Sequence, residues 1–240
     1  MASVDLGRRR MGEILARFGA DIVADALAQL LARTETLVRT RLKETFPVGT
    51  VRFEDAIDAD GHGNGPFRIR AALTRTEDDR FVIDFSETDD QAPGPVNLLM
   101  NPAVPGTALG LFFLGGDPGQ VCNAGGARAI DEVILREGSL LWPRHPAPLG
   151  MRGLTMMRLL AVLNGLVNAG RGAAPASHCA YVIIMFRGLA GGQPFLLSDG
   201  VGVGYGARPD QDGIDAVYFV AQENYPVEFL EGAYPFRMLR

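Results

Sequence analysis

Between Asp5 and Lys43 apolar side chains return every three or four positions, at Met11, Ile14, Leu15, Phe18, Ile22, Ala26, Leu27, Leu30, Leu37 and Val38. That is the spacing of one helical face. Gly19 divides the run as a left-handed cap would, Asp21 helps to start a second stretch, and Pro47 stops the chain behind Phe46. From Val51 the period shortens to two. Phe67–Leu73 and Arg80–Phe85 alternate apolar with polar residues, and the polar runs 58–66 and 77–79 punctuate them, which predicts antiparallel strands. Residues 102–114 are small and apolar and predict a buried helix, whereas 115–127 is a glycine-rich loop. The segment 154–168 is apolar nearly all round and predicts a core helix. Tyr181–Phe186 and Phe195–Leu197 predict buried strands, and Gly200, Gly202, Gly204 and Gly206 lead into a turn at Arg208-Pro209-Asp210. The expected fold class is α+β, with an N-terminal helical hairpin or kinked helix, antiparallel strands, a buried central helix and Gly-rich loops. Residues 1–240 read as a single domain, helical over 1–47 and a mixed α/β core over 48–240.

Composition narrows the class. Hydrophobic residues are 47% and charged residues 21% of 240, which is globular and excludes a disordered or fibrous chain. The net charge is −5, and Lys43 is the only lysine, so the positive charges are arginines scattered along the chain. No basic block could neutralise a row of phosphates, which argues against nucleic acid. Cys122 and Cys179 belong to no C-x-x-C pair, so a reducing cytoplasm is the expected compartment. No apolar stretch approaches a membrane span, and no secretory segment is expected.

Local motifs name little chemistry. Asp58-x-Asp60-Gly61-x-Gly63-Asn64-Gly65 alternates oxygen donors like a calcium loop, yet it lacks the closing glutamate and flanking helices and reads as a hairpin loop. Gly202-x-Gly204-x-x-Ala207 resembles a dinucleotide turn, but turn residues follow where a helix is needed. There is no phosphate-cradling P-loop. Ser177-His178-Cys179 places neighbours on opposite faces of an extended segment, so they cannot act as a nucleophile and base. His62, His145 and His178 share no metal-ligand spacing, and no metal site is expected on this chain.

The run Asp84-Phe85-Ser86-Glu87-Thr88-Asp89-Asp90-Gln91-Ala92-Pro93-Gly94-Pro95-Val96-Asn97 carries more. On turn chemistry alone it is a strand exit with an Asx-type turn. It also resembles the D-F-[ST]-G-[ST]-x-x-Q-x-x-G-x-[IV]-N signature of the hydantoinase B/oxoprolinase family, with Glu87 where glycine is usual. Four further stretches are similar to that family: Phe46-Pro47-x-Gly49 through Asp58-x-Asp60-Gly61; Asn123-x-Gly125-x-x-Arg128-x-Ile130; Pro143-x-x-Pro146-Ala147-Pro148-Leu149-Gly150-x-Arg152; and Asp212-Gly213-x-Asp215-Ala216 through Asn224-x-Pro226-Val227-Glu228-x-Leu230-Glu231. The resemblance runs from about Leu6 to Arg240 and covers the middle to C-terminal part of longer family members.

The resemblance implies a subunit of a heteromeric ATP-dependent hydrolase that opens cyclic amides of the hydantoin, oxoproline or lactam type. The alternatives are a subunit of an ATP-dependent ketone carboxylase of the acetone or acetophenone type, or a non-catalytic structural subunit of such a complex. The implied partners are a hydantoinase A-type ATP-binding subunit and a chain carrying the family's N-terminal metal-binding half. ATP with Mg and a divalent Zn or Mn ion would be bound there and not by this chain alone. Asp84, Thr88 and Arg128 are the expected catalytic residues and Asn97 and Asn123 the expected substrate-binding ones, because a strand end and a glycine loop can aim amides and a guanidinium at an anionic group. The competing expectation is that Asp84 and Arg128 form a structural ion pair while the asparagines satisfy turns.

Overall fold

The computed structural model describes residues 2–114, 119–120, 122–174, 181–208, 211–217, 226–235 and 237. Its contacts divide the chain into two compact units, Met1–Ala174 and Pro175–Arg240, where the sequence reads as one domain. The α+β class is observed, in the element order of the chain.

In the first unit, helix α1 (Ala2–Phe18) and helix α2 (Ala20–Thr45) are separated by Gly19 alone, at φ +83°. The Gly19 N–H still donates to the Leu15 carbonyl at 2.9 Å, and its own carbonyl accepts from Val23 at 3.2 Å. A one-residue break is a kink rather than a hairpin loop. The predicted apolar face is buried only where α2 meets the core, at Val38 and Leu42. Farther out, Met11, Ile14, Leu15, Phe18, Ile22, Leu27 and Leu30 are exposed.

Strands β1 (Gly49–Ile57), β2 (Phe67–Arg75) and β3 (Phe81–Asp84) form the expected antiparallel meander, and β4 (Glu132–Ile134) joins β3 in parallel, giving the order β1-β2-β3-β4. Alternation decides the faces. Phe67, Ile69, Ala71 and Leu73 of β2 and Phe81 and Ile83 of β3 turn to the core, where Leu159, Leu163 and Leu166 of helix α4 (Arg152–Ala169) are also buried. Helix α3 (Val104–Leu114) is buried through Pro105, Gly106, Ala108, Leu109 and Gly110, as its composition predicts. A 3-10 turn, Ala124–Ala129, begins inside the region 115–127 expected as loop, runs two residues past it and packs on α2 and α3.

In the second unit, β5 (Tyr181–Ala190), β6 (Gln193–Tyr205) and β7 (Ile214–Val217) form an antiparallel sheet, and α5 spans Val227–Ala233. Gly191 and Gly192, both with positive φ, make the two-residue turn between β5 and β6. The expectation of buried strands is corrected here: among the described side chains of these two segments, Met185, Phe186 and Leu196 are exposed and Leu197 is buried. Gly200, Gly202 and Gly204 lie inside β6, so the dinucleotide-like spacing begins within a strand and runs out past its end at Tyr205. Ser177-His178-Cys179 lies outside the described residues.

Candidate functional site

The signature run begins at the C-terminal end of β3. Asp84 Oδ1 accepts the Ser86 N–H at 2.7 Å, which is the Asx-type turn expected from the residue types. The Thr88 N–H returns to the Phe85 carbonyl at 3.0 Å. Thr88 is buried, and its hydroxyl donates to the Arg70 carbonyl at 3.1 Å while accepting the Arg70 N–H at 3.2 Å, so it extends the ladder of β2 by a side chain. Arg136 grips the same turn from beyond β4. Its guanidinium donates to the Ser86 carbonyl at 3.0 Å and the Thr88 carbonyl at 2.7 Å, and it pairs with Asp90 at 2.8 Å.

The face of the sheet opposite the core carries an ordered set of charges. Arg70 pairs with Asp89 at 2.6 Å and Glu54 at 3.0 Å, and Arg68 pairs with Glu54 at 2.7 Å. Burial would raise the Asp89 carboxyl, yet the Arg68 backbone N–H and the Arg70 guanidinium outweigh it and hold the group below its ordinary value. Arg52, Glu54, Arg70, Ala72, Asp84 and Glu87 line a cavity of about 420 Å³. That volume suits a small molecule.

Asn97 closes the signature run and is fully buried. Its Oδ1 accepts from the Ala92 N–H at 2.7 Å, and its Nδ2 is shared among the carbonyls of Ala92, Gly94 and Pro148 at 2.9, 3.1 and 3.1 Å. Gly94 lies flat against the Asp60 side chain, and a β-carbon there would overlap the carboxylate. Two of the family-like stretches therefore meet at this point. Asp60 itself accepts the backbone N–H groups of His62 and Asn64 and the Asn64 side-chain amide, which closes 58–66 as a hairpin loop.

Asn123 and Arg128 lie at the other end of β3. Asn123 caps the 3-10 turn through Oδ1 to the Gly125 N–H at 2.8 Å, and its Nδ2 donates to the Leu30 carbonyl of α2 at 3.1 Å. The Arg128 carbonyl accepts from Arg39 at 3.0 Å, whereas its side chain is exposed and makes no ion pair or hydrogen bond among the described residues. Asp131, three residues on, receives the Phe81 N–H at 2.7 Å and so marks the start of β3. The structure thus brings Asp84 and Thr88 together in one turn and sets Asn97 and the Asn123–Arg128 pair at two other places. Of the five, Asp84 lines the cavity.

Asp84 and Arg128 form no ion pair; the partner of an arginine at this joint is Asp131, held by Arg39. Arg52, Glu54, Arg70 and Arg136 were not named from the sequence. The signal for the first three is their i, i+2 placement on neighbouring strands, Arg52-x-Glu54 and Arg68-x-Arg70. Burial raises the Cys122 thiol, which disfavours a thiolate. Among the described residues no three His, Cys, Asp or Glu side chains are grouped to hold a metal ion. No described helix is long and apolar enough to cross a membrane.

The profile of one family, described as hydantoinase B/oxoprolinase, matches residues 1–240. A protein of Pseudomonas sp. strain NS671, described as the B-type component of a D-/L-hydantoinase, is 26% identical over 263 aligned positions, covering 100% of this chain and 42% of its own length. The beta component of the caprolactamase of Pseudomonas jessenii is 28% identical over 146 positions, or 60% of this chain and 24% of its own length. The chain thus spans less than half the length of the curated relatives it matches. The nucleotide-free structure of acetone carboxylase superposes over 95% of this chain and 33% of its own with a TM-score of 0.72 at 15% identity, a likeness of fold.

Proposed function

The chain belongs to the hydantoinase B/oxoprolinase family, and from that premise we propose that it is one subunit of a heteromeric ATP-dependent hydrolase that opens cyclic amides of the hydantoin, oxoproline or lactam type. The observation that carries the reading is the agreement of the two relatives, each a subunit of an enzyme named for a cyclic amide.

The geometry supports a subunit role. Met11, Ile14, Leu15, Phe18, Ile22, Leu27 and Leu30 leave an uncovered apolar stripe along α1 and the first half of α2. Stripes of this length on soluble proteins mark surfaces that another chain covers. In this reading the occupant is a partner subunit of the same enzyme. The ATP with its Mg ion is assigned to a hydantoinase A-type partner, and a Zn or Mn ion to the chain bearing the family's N-terminal motifs.

This chain's own contribution centres on the charged sheet face. Asp84, in the cavity, accepts a hydrogen bond from the substrate. Arg128, at the other end of β3, offers a guanidinium that is uncommitted among the described residues and whose planar fork suits an anionic or phosphorylated group. Thr88, Asn97 and Asn123 act through the loops they hold, because their side chains are spent on backbone partners.

The test is co-expression with the A-type and metal-bearing partners, followed by assays on hydantoin, oxoproline and caprolactam and, with bicarbonate, on acetone and acetophenone. Expected is ATP-dependent formation of the ring-opened acid, lost when this chain is omitted. A carboxylated ketone as product would install the carboxylase reading instead, and turnover undiminished without this chain would make it dispensable to the chemistry.

A further inference from the structure

Arg52 and Asp84 are set across a shared neighbour. Arg52 of β1 is in register with Ala72 of β2, and Ala72 is in register with Asp84 of β3, so all three side chains leave the same face of the sheet. Two strand spacings put the Cα atoms of Arg52 and Asp84 roughly 10 Å apart. Ala72 stands between them in register, and its small side chain is part of the cavity's lining.

The two ends of the cavity differ in charge and are otherwise unspent. The Arg52 guanidinium makes no ion pair or hydrogen bond among the described residues. At the far end, Asp84 uses Oδ1 on Ser86, while Glu87 contributes its backbone carbonyl to Arg70 and leaves its carboxylate exposed. The charges alongside are different. Arg70 is engaged by Glu54 and Asp89 and so forms a wall that is already neutralised.

We propose that this cavity binds a small molecule carrying a carboxylate at one end and a cationic or N–H donor group at the other, with the carboxylate on Arg52 and the donor on Asp84 and Glu87. Hydrolysis of a cyclic amide produces such a molecule, because cleaving the C–N bond leaves a carboxylate and an amine or ureido group on one chain. The identity of the ligand rests on the cyclic-amide reading; the charge arrangement does not. A β-keto acid, the product of ketone carboxylation, would satisfy Arg52 only.

Calorimetric or NMR titration of the purified chain with 6-aminohexanoate, hexanoate and hexylamine tests this. 6-Aminohexanoate should bind most tightly. Arg52→Gln should weaken it roughly tenfold, to the level of hexylamine, and leave hexylamine unchanged, since a single charge-assisted contact is worth about that factor. Asp84→Asn should weaken it, and Asp84→Asn combined with Glu87→Gln should bring it to the level of hexanoate and leave hexanoate unchanged. The unchanged probe shows in each case that the variant is folded. Equal affinities for the three probes, absence of binding, or variants that weaken all probes alike would overturn the site. None of these outcomes touches the turnover assay of the assembled enzyme, and a carboxylase result there would leave a measured zwitterion site standing.

Discussion

The Leu31 carbonyl of α2 occupies the space that a β-carbon on Gly125 would need. Backbone meets backbone at this joint. One residue earlier in α2, the Leu30 carbonyl accepts the Asn123 side-chain amide at 3.1 Å, so the Asn123-x-Gly125 stretch seats the 3-10 turn on two successive carbonyls of the helix. Gly106 of α3 approaches from the other side, where its own β-carbon would stand 2.8 Å from the Ala127 Cα.

That geometry ranks two substitutions. Gly125→Ala forces α2 and the turn apart and should cost about 3 kcal/mol, at the upper end of overpacking changes. Asn123→Ala removes a cap and one interhelical hydrogen bond and should cost about 1 to 2 kcal/mol. Urea unfolding of the two variants beside the parent chain gives the order. A Gly125→Ala variant as stable as the parent would mean that the contact relaxes freely.

Arg39 and Asp131 tie α2 to the sheet with contacts of 2.8 and 3.2 Å. The Arg39 hydrogen bonds, joined by the Phe81 N–H, hold the Asp131 carboxyl below its ordinary value of 3.8 against the opposing effect of burial. Asp89 is held down in the same direction. A carboxyl with a lowered native pKa binds protons more readily in the unfolded chain, so its contribution is present above the ordinary value and is lost as pH falls toward the native one. Stability should therefore be flat near neutrality and fall below about pH 4. Asp131→Asn should cost about 2 kcal/mol at neutral pH and converge on the parent in acid. Urea midpoints measured across this range would show parallel curves if the pair contributed nothing.

The helices and strands were legible because their periods differ, and Gly19 and Pro47 mark the helical boundaries as their backbone preferences require. The burial of α1 was not. Periodicity says that Leu15 and Leu27 share a face and is silent on what covers it; the second unit repeats the lesson, since Met185 and Leu196 lie in strands and are exposed. In the candidate site, Asp84 was named because the run it opens resembles the family signature, whereas turn chemistry alone gives only a strand exit. Arg52 was missed because its relation to Asp84 runs through two strand registers, and Arg136 because its contacts with Ser86 and Thr88 span about fifty residues of chain.

Asn97 and Arg128 carry family-like motifs on opposite terms, and one pair of variants separates them. Asn97 is buried with its amide committed to four backbone groups from two loops. Asn97→Ala strands those groups and should cost about 3 kcal/mol, seen as a lowered unfolding midpoint of the isolated chain. Arg128 is exposed, its guanidinium uncommitted among the described residues, so Arg128→Leu should leave stability within about 0.5 kcal/mol. If the side chain meets an anionic group in the assembled enzyme, Arg128→Leu should lower turnover sharply while the subunits still co-purify. Intact turnover would remove Arg128 from the site. Loss of co-purification would instead place its guanidinium in the contact between subunits, where an exposed arginine beside the α2 joint is equally able to find a carboxylate.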